Sequence, residues 1–315
     1  MLKDLLRTSD LSASDLTALL DRSAELKRAP HSRRDLLKGE AVVMYFSKPS
    51  TRTRISFEVA IARLGGLPVT VAATDLQLGR GETIEDTARV ISRYAKAFVI
   101  RTFRDADVET FAKAASIPVV NALTDGHHPC QSVADLLTLR EKFGSLEGLK
   151  LVYLGAGNNV AHSLLEAGAL AGMRVVVAAP AKLSPSSEVV LKARAVAEKT
   201  GGSVEVTEDP KEAVKGADAL YTDVWLSMGD PDEEKAMRKE LLGPYQVGAE
   251  QMARAKPGAV FMHCLPAHRG DEVTAEVIDG PASVVFDQAE NRLHTEAAIL
   301  VALLERTLEG SANAS

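Results

Sequence analysis

A thiol and an imidazole stand next to each other in His263-Cys264, directly after the apolar run at 259–262. That run predicts a buried strand, so both groups lie where the strand opens into a loop. Cys264 could act as a nucleophile, as a hydrogen-bonding thiol or as a small packed apolar residue. Successive side chains of an extended segment point to opposite faces, so His263 is poorly placed to activate Cys264. We therefore do not expect covalent catalysis.

Hydroxyl and guanidinium groups that suit a phosphate stand together in Ser50, Thr51, Arg52 and Thr53. They lie at a predicted strand-to-helix junction, where unpaired backbone N–H groups and the helix dipole favour an anion. Arg52 adds a planar charged fork that matches phosphate oxygens. The alternative is a serine N-cap followed by arginines on a solvated face. Further anion donors elsewhere in the chain favour the phosphate site.

Three more donors stand next to predicted elements of the first half. Arg101 ends the apolar run at 97–100, and an arginine at the end of a parallel strand points into the crevice where ligands bind. A surface ion pair is its alternative role. His128 and Gln131 flank Pro129 just before a predicted helix, and both can donate to a carbonyl oxygen. A lone histidine in a loop is more often structural, but a paired imidazole and amide at a helix start is less often so.

A carboxylate, Asp223, follows the predicted strand at 219–222 and precedes Ser227 and Met228. It could hold an alkylammonium substrate or accept its proton. The alternative is a helix cap beside a loop anchored by Trp225 and Met228. The turn at 155–160 resembles a dinucleotide fingerprint, but it lacks the third glycine and the later acid. We interpret it as a tight turn that aims an asparagine amide into a cleft.

The elements that position these residues alternate between short β-rich runs and segments of helical spacing, which predicts parallel sheets with crossover helices. We expect an α/β chain of two domains, 1–145 and 146–290, each a parallel β-sheet flanked by helices. A C-terminal helix at 291–309 is expected to pack back on the first domain. Strands are predicted near 40–46, 67–72, 97–100, 149–154, 174–179, 204–206, 219–222, 260–263 and 284–287, and helices near 53–64, 131–143, 159–171 and 293–308.

Composition excludes several classes of function. The 315 residues are 46% hydrophobic and 25% charged, with a net charge of −6 and no long basic run, which argues against nucleic acid as a partner. No apolar stretch approaches the roughly 20 residues of a membrane span, and no secretory signal is visible. The two cysteines, Cys130 and Cys264, lie in candidate site motifs without CxxC spacing. We therefore expect free thiols, a cytoplasmic location, no metal and no membrane association.

Six motifs in this order resemble the ornithine carbamoyltransferases: FSKPSTRTR at 46–54, HHPCQ at 127–131, GNN at 157–159, DVWLSMG at 223–229, HCLPAHRG at 263–270 and ENRLH at 290–294. The resemblance implies transfer of the carbamoyl group of carbamoyl phosphate to the δ-amine of L-ornithine, giving citrulline and phosphate in arginine metabolism. The active site is expected in the cleft between the two domains. No cofactor is implied. Ser47 and Ala156 depart from residues common in the family, which affects only details of loop geometry.

The same resemblance implies roles for individual residues. The residues implied to bind carbamoyl phosphate are Ser50, Thr51, Arg52, Thr53, Gln77, Arg101, His128, Gln131, Cys264, Leu265 and Arg292. Those implied to bind ornithine are Asn159, Asp223, Ser227 and Met228. The catalytic set is Arg52, Arg101, His128, Asp223 and Cys264. Gln77 looks like a residue on a loop that reaches a neighbouring subunit's site, which implies a homo-oligomer, a trimer with shared active sites.

Several alternatives stay open at this point. Aspartate is a poor acceptor for this chain because Asp223 would repel a dicarboxylate. Acetylated ornithine and putrescine are closer rivals of ornithine, and they should differ in the loop at 223–229. A catalytically silent regulatory protein is the alternative from another class. The residue types do not decide whether Asp223 or Cys264 takes the proton of the attacking amine, nor the direction of the reaction in metabolism.

Overall fold

The structure, a computed structural model, describes residues 3–75, 81–226 and 232–312. The chain divides into two compact units. The first unit contains Met1–Leu137 and Glu290–Ser315, and the second contains Thr138–Ala289. The helices Pro129–Phe143 and Val285–Ala312 each begin in one unit and end in the other. The roles expected for the two domains, and a boundary at residue 145, stay predictions.

The described ranges contain strands and helices in alternation, as the sequence predicts. The strands are β1 Ala41–Phe46, β2 Leu67–Ala72, β3 Ala97–Arg101, β4 Val119–Leu123, β5 Lys150–Leu154, β6 Arg174–Ala178, β7 Ser203–Thr207, β8 Ala219–Thr222 and β9 Val260–His263. The α-helices are α1 Ala13–Arg28, α2 Thr51–Arg63, α3 Ile84–Ile91, α4 Asp105–Ala114, α5 Pro129–Phe143, α6 Asn159–Leu170, α7 Ser187–Thr200, α8 Pro210–Ala213, α9 Asp232–Leu242, α10 Ala249–Arg254, α11 Ala275–Ile278 and α12 Val285–Ala312. Among these helices, none combines the length and apolar character that crossing a membrane requires.

The first unit is built on a four-stranded parallel sheet in the order β2-β1-β3-β4. Its central strands are almost continuously apolar, as expected for strands that are covered on both faces. Val42 and Met44 of β1 are fully buried, and Phe98 of β3 stacks on Phe111 of α4 with ring centroids 4.0 Å apart. In the pairing register, Phe46 at the end of β1 lies opposite Arg101 at the end of β3. The segments that follow these strands therefore start from one edge of the sheet.

The second unit is built on a five-stranded parallel sheet in the order β7-β6-β5-β8-β9. The register pairs Leu154 with Thr222, and Thr222 with His263, so three neighbouring strands end in one row. The loops that follow them carry Asn158, Asp223 and Cys264. The carboxyl edge of a parallel sheet is where open α/β folds bind their ligands. Both sheets confirm the predicted fold class of two parallel-sheet domains flanked by helices.

The strand predicted at 284–287 is wrong, because α12 begins at Val285. A single β-bridge joins Ser283 to Phe261, and the Val284 N–H donates to the Phe261 carbonyl, but the pairing ends there. The apolar run Val284-Val285-Phe286 is short, and such a run has the same composition in a buried strand and in the first turn of a helix. The final helix predicted at 293–308 is confirmed and extends further in both directions.

Candidate active site

The first turn of α2 carries the predicted phosphate donors in the first unit. Ser50 occupies the N-cap position, but its side chain makes no capping hydrogen bond. Thr51 and Arg52 are exposed, whereas Thr53 is buried, and the first turn contains no acidic residue. The predicted strand-to-helix junction is thus confirmed. An N-terminus of this kind offers backbone N–H groups and a partial positive charge to an anion.

Arg292 joins this helix start to two other elements of the first unit. Its guanidinium donates from Nη2 to Thr53 Oγ1 at 3.0 Å and from Nη1 to Gln131 Oε1 at 2.8 Å. Arg292 is only 4% exposed, and its charge is paired with Glu296 of the same helix. The structure therefore brings together three residues that the sequence predicts for one site: Thr53, Gln131 and Arg292. Of these, Thr53 and Arg292 are 239 positions apart in the chain. The amide nitrogen of Gln131 donates to Asp135, so its oxygen faces Arg292.

Arg101 and His128 complete the charged end of this sheet. Arg101 is the last residue of β3, and His128 directly precedes α5. Burial lowers the pKa of His128 well below its usual 6.5, and the positive charges of Arg292 and Arg101 lower it further. A neutral imidazole still donates one hydrogen bond and carries no charge of its own. His128 therefore suits a carbonyl oxygen at neutral pH, as a donor beside permanently charged guanidinium groups.

Asp223 and Cys264 meet at the carboxyl edge of the sheet in the second unit. The thiol of Cys264 donates to Asp223 Oδ1 at 3.0 Å, and the backbone N–H of Val224 donates to the same oxygen at 2.8 Å. Asp223 is buried and Cys264 is partly exposed. Both cysteines lie in the described part of the chain, and neither forms a disulfide, as the sequence predicts. The pair offers a carboxylate and a thiol to one basic ligand group.

Asn158 holds the Asp223 carboxylate in place. The sequence predicts a role in the site for its neighbour Asn159 and not for Asn158. Its Nδ2 donates to Asp223 Oδ2 at 2.8 Å, while its Oδ1 accepts from the backbone N–H groups of Val160 and Ala161 at the start of α6. The buried Tyr153 hydroxyl also donates to Oδ1, and burial raises the pKa of Tyr153 well above 10.0, so the donor stays protonated. The ornithine role of Asn159, the first residue of α6, stays a prediction.

The backbone around these residues is tightly constrained. A Cβ on Gly157 would lie 2.1 Å from the backbone nitrogen of Pro185, so only glycine fits at this turn. Leu265 has a φ of 58°, a left-handed conformation that costs a residue with a side chain roughly 1–2 kcal/mol. Such conformations persist where the surrounding structure enforces them, and they concentrate at functional sites. The sequence predicts a tight turn at 155–160 that aims an asparagine amide into a cleft, and in the structure this segment leads into α6 with Asn158 as its N-cap.

The two ring nitrogens of His263 face groups other than Cys264. Nδ1 accepts from the Leu265 N–H at 2.8 Å, and Nε2 lies 3.4 Å from Glu272 Oε1. Both ionisable side chains are fully buried.

Three side chains lie close enough together to bind a metal ion. Asp223, His263 and Cys264 each offer one ligand atom, and these atoms are within 4.8 Å of one another, so the three groups could ligate a soft or borderline divalent ion. The expectation of no metal and no covalent step stays a prediction.

Three residues predicted for the site lie outside the described residues: Gln77, Ser227 and Met228. The structure places the remaining ones at the ends of strands, in the segments that follow these strands, or on the helices α2, α5, α6 and α12. Ser50, Thr51, Arg52, Thr53, Arg101, His128, Gln131 and Arg292 belong to the first unit, and Asn159, Asp223, Cys264 and Leu265 belong to the second. The carbamoyl-phosphate contacts expected for Cys264 and Leu265 stay predictions.

Comparison with known families finds two adjacent matches. Residues 3–141 match the model described as aspartate/ornithine carbamoyltransferase, carbamoyl-P binding domain. Residues 147–303 match the model described as aspartate/ornithine carbamoyltransferase, Asp/Orn binding domain. The two matches together cover most of the 315 residues.

Individual relatives agree with these models over nearly the whole chain. The ornithine carbamoyltransferase of Acidothermus cellulolyticus is 53% identical over 305 residues, 97% of this chain and 97% of the relative. That of Bacillus thuringiensis is 48% identical over 307 residues, covering 98% and 96%. The solved structure of ornithine carbamoyltransferase from Pyrococcus furiosus superimposes with a TM-score of 0.91 at 50% identity, covering 95% of this chain and 96% of that one.

Proposed function

Because the chain belongs to the aspartate/ornithine carbamoyltransferase family, we infer that it transfers the carbamoyl group of carbamoyl phosphate to the δ-amine of L-ornithine. The products are L-citrulline and phosphate, which places the enzyme in arginine metabolism. The observation that carries this conclusion is the buried Asp223 carboxylate at 3.0 Å from the Cys264 thiol. A carboxylate–thiol pair attracts an amine and repels the second carboxylate of aspartate.

In this proposal the first unit binds carbamoyl phosphate. The phosphate lies at the N-terminus of α2, where Ser50, Thr51, Arg52 and Thr53 add donors to the backbone N–H groups. The carbonyl end is bound by Arg101 and His128. Arg292 contacts both ends of the substrate, and Gln131 orients it through the 2.8 Å hydrogen bond. The linkage between Thr53 and Arg292 supports one continuous site for both ends of the substrate.

The second unit binds ornithine through Asp223, with Asn159, Ser227 and Met228 as further contacts. An ornithine carries two amino groups, and only the δ-amine reacts. Asn158 donates to the Asp223 carboxylate and caps the start of α6. Asp223 is therefore held in its position before the substrate binds. Such preorganisation lowers the entropy that a ligand must lose on binding.

The reaction forms one bond and breaks one. The neutral δ-amine attacks the carbamoyl carbon, and the carbonyl electron pair moves onto oxygen to give a tetrahedral oxyanion. When the carbonyl re-forms, the bond between carbon and the phosphate oxygen breaks, and phosphate leaves with its electron pair. The amine loses one proton, which passes either to Asp223 directly or to Cys264 while the thiol proton of Cys264 moves to Asp223. Arg52, Arg101, His128 and Arg292 are the donors that stabilise the developing oxyanion.

We also propose a cytoplasmic homotrimer with shared active sites, in which Gln77 reaches the neighbouring subunit. Two features support an interface on the first unit. Ile55 and Val59, one turn apart on α2, are 53% and 37% exposed, and Leu67 at the start of the edge strand β2 is 63% exposed. Exposed apolar side chains on neighbouring elements are typical of protein–protein contacts. Two thiols without a disulfide suit a reducing compartment.

Product analysis with four acceptors tests the activity. The purified chain is incubated with carbamoyl phosphate and L-ornithine, N-acetylornithine, putrescine or aspartate, and the carbamoylated product is quantified. We expect turnover with ornithine at least a hundredfold above the others. Turnover of another acceptor above ornithine would overturn the substrate assignment. A folded chain that binds carbamoyl phosphate but turns over none of the four would favour the silent regulatory protein.

Subunit mixing tests the shared site. Arg52→Ala and Gln77→Ala chains, each of low activity, are mixed, dissociated and reassembled. A mixed trimer contains some sites with an intact Arg52 from one subunit and an intact Gln77 from the next, so activity should reappear. Activity that stays at the level of the separate variants, in mixed particles of three times the 33.6 kDa chain mass, would refute the shared site.

A further inference from the structure

Glu296 is a fully buried carboxylate of the first unit that the proposed mechanism does not use. It lies one helical turn after Arg292 on α12, and neither side chain reaches solvent to a useful extent. A buried carboxylate is rare unless a partner compensates for its lost hydration. Its position beside the arginine of the phosphate site therefore calls for a functional explanation.

The hydrogen bonds show what Glu296 does to Arg292. Its Oε1 accepts from both Arg292 Nε, at 3.0 Å, and Nη2, at 2.6 Å. These two bonds fix the plane of the guanidinium. In that orientation Nη2 also donates to Thr53 on α2 and Nη1 donates to Gln131 on α5. Without the Glu296 carboxylate, the Arg292 side chain would have several rotamers available. Only the neutral acceptors Thr53 and Gln131 would then hold Arg292 between the starts of α2 and α5.

The other ionisable groups around the pair come from α5 and the residue before it. Burial and the nearby Glu296 charge raise the thiol pKa of Cys130 so far that the thiol stays neutral. His128 is also neutral, because its pKa is lowered. Asp135 faces Arg292 and accepts from the Gln131 amide. Burial raises the pKa of Glu296 itself to about 7, against the lowering effect of the Arg292 charge. Glu296 can therefore exchange a proton near neutrality.

We propose that Glu296 is a positioning residue of the carbamoyl-phosphate site that orients Arg292 and takes up a proton when the phosphate-bearing ligand binds. The inference rests on the proposed function, since it assumes that Arg292 contacts this ligand. An ionised Glu296 neutralises Arg292, whereas a protonated Glu296 leaves the full guanidinium charge to the incoming anion. Ligand binding and protonation of Glu296 then favour each other, as linkage requires.

Calorimetry of phosphate binding tests the proton uptake. Inorganic phosphate, a product of the reaction, is titrated into the full chain at pH 8, where it is already mostly dianionic, in two buffers of different ionisation enthalpy. The difference in heat between the buffers gives the number of protons taken up. We expect a substantial fraction of a proton for the wild type and almost none for Glu296→Gln. Gln keeps the size and the acceptor oxygen, but it does not titrate.

The pH dependence of KM for carbamoyl phosphate is a second measurement. It would not change in a Glu296 variant if Glu296 had only a structural role. In the wild type, KM for carbamoyl phosphate should rise as the pH increases through 7, because ionised Glu296 opposes the anion. The rise in KM is about tenfold for each unit by which ligand binding raises the pKa of Glu296. Glu296→Gln should show a flatter profile and a lower KM at pH 8, with kcat within a few fold. Glu296→Ala removes the acceptor as well, and its KM should exceed that of Glu296→Gln.

Glu85→Gln is the matched control, since it removes an exposed carboxylate from α3 of the same unit. It should keep the proton uptake and the pH profile of the wild type. A Glu296→Gln variant that also keeps both would overturn the proposal. If the variants do not fold, wild-type phosphate binding without any proton uptake at pH 8 would overturn it as well. A wild type that neither binds phosphate nor forms citrulline would instead refute the proposed function.

Discussion

Replacing Asn158 by serine should impair ornithine turnover without unfolding the start of α6. In the structure the Asn158 side chain has two separate tasks. Its oxygen caps α6, and its nitrogen donates to Asp223 Oδ2 at 2.8 Å. Serine is an N-cap residue of comparable strength, so it keeps the first task. Its short side chain has no group that reaches Asp223 while it caps the helix, so the second task is lost.

The expected magnitude follows from the bond that is removed. A hydrogen bond to a charged group contributes about 1.5–3 kcal/mol, which corresponds to roughly a 10- to 100-fold change in an equilibrium or a rate. We therefore expect kcat/KM for ornithine to fall by about 10- to 100-fold in Asn158→Ser. The KM for carbamoyl phosphate should change little, because Asp223 belongs to the second unit. Asn158→Ala should show the same kinetic loss and, in addition, about 1 kcal/mol lower stability.

Steady-state kinetics with each substrate varied in turn, together with thermal unfolding, measure both effects. Asp209→Ala is the matched control, since Asp209 caps α8 in the same unit through the N–H groups of Lys211 and Glu212. It should lower stability by a similar amount and leave kcat/KM for ornithine unchanged. This control separates the loss of a cap from the loss of the Asp223 contact.

One result would refute this reasoning. If Asn158→Ser and the wild type have the same kcat/KM for ornithine within about twofold, the 2.8 Å contact does not position Asp223 for the substrate. An equal kinetic loss in Asp209→Ala would refute it too, because the effect would then follow from unit stability alone.

Three further predictions concern single side chains. Arg52→Ala should lower kcat/KM for carbamoyl phosphate by about 10²-fold or more through lost phosphate and oxyanion contacts, whereas Arg63→Ala, at the other end of α2, should not. Cys264→Ser should cost less than about tenfold in kcat, because a hydroxyl also donates to Asp223, and complete inactivation of a folded variant would reopen covalent catalysis. Glu296, with its pKa raised from 4.5 to about 7 in the folded state, contributes stability that is present below pH 4.5 and lost as the pH rises through 7. Unfolding free energies of the wild type should thus fall by about 3 kcal/mol over that window, and those of Glu296→Gln should not.

The parallel sheets were predictable because their strands are short, continuous apolar runs between helical segments, and that pattern exists in the sequence itself. The helix α2 was also predictable, because helical spacing of apolar residues begins a few positions after the end of β1. The strand expected at 284–287 failed because three apolar residues suit either element. Only the packing of the whole segment against Phe261 and its continuation into α12 decide between them.

Contacts between distant positions were less predictable than the elements. Which of Asn158 and Asn159 caps α6 depends on the residue at which the helix begins, and element boundaries are the weakest part of a sequence-based prediction. Glu296 carries no sequence signal of its burial, because an acid four residues after an arginine is also common on a solvated helix face. Its meeting with Thr53 and Gln131 through Arg292 arises only when α2, α5 and α12 pack together.

The passage of a carbamoyl group from phosphate to the δ-nitrogen of ornithine is the reaction that we assign to this chain. Its most direct test is ¹³C NMR of a reaction between ¹³C-labelled carbamoyl phosphate and L-ornithine, with phosphate release measured in the same sample. We expect the label to appear in citrulline in equal amount to the phosphate released, and we expect Asp223→Asn to abolish most of this transfer. Phosphate release without labelled citrulline, or label on the α-nitrogen, would contradict it.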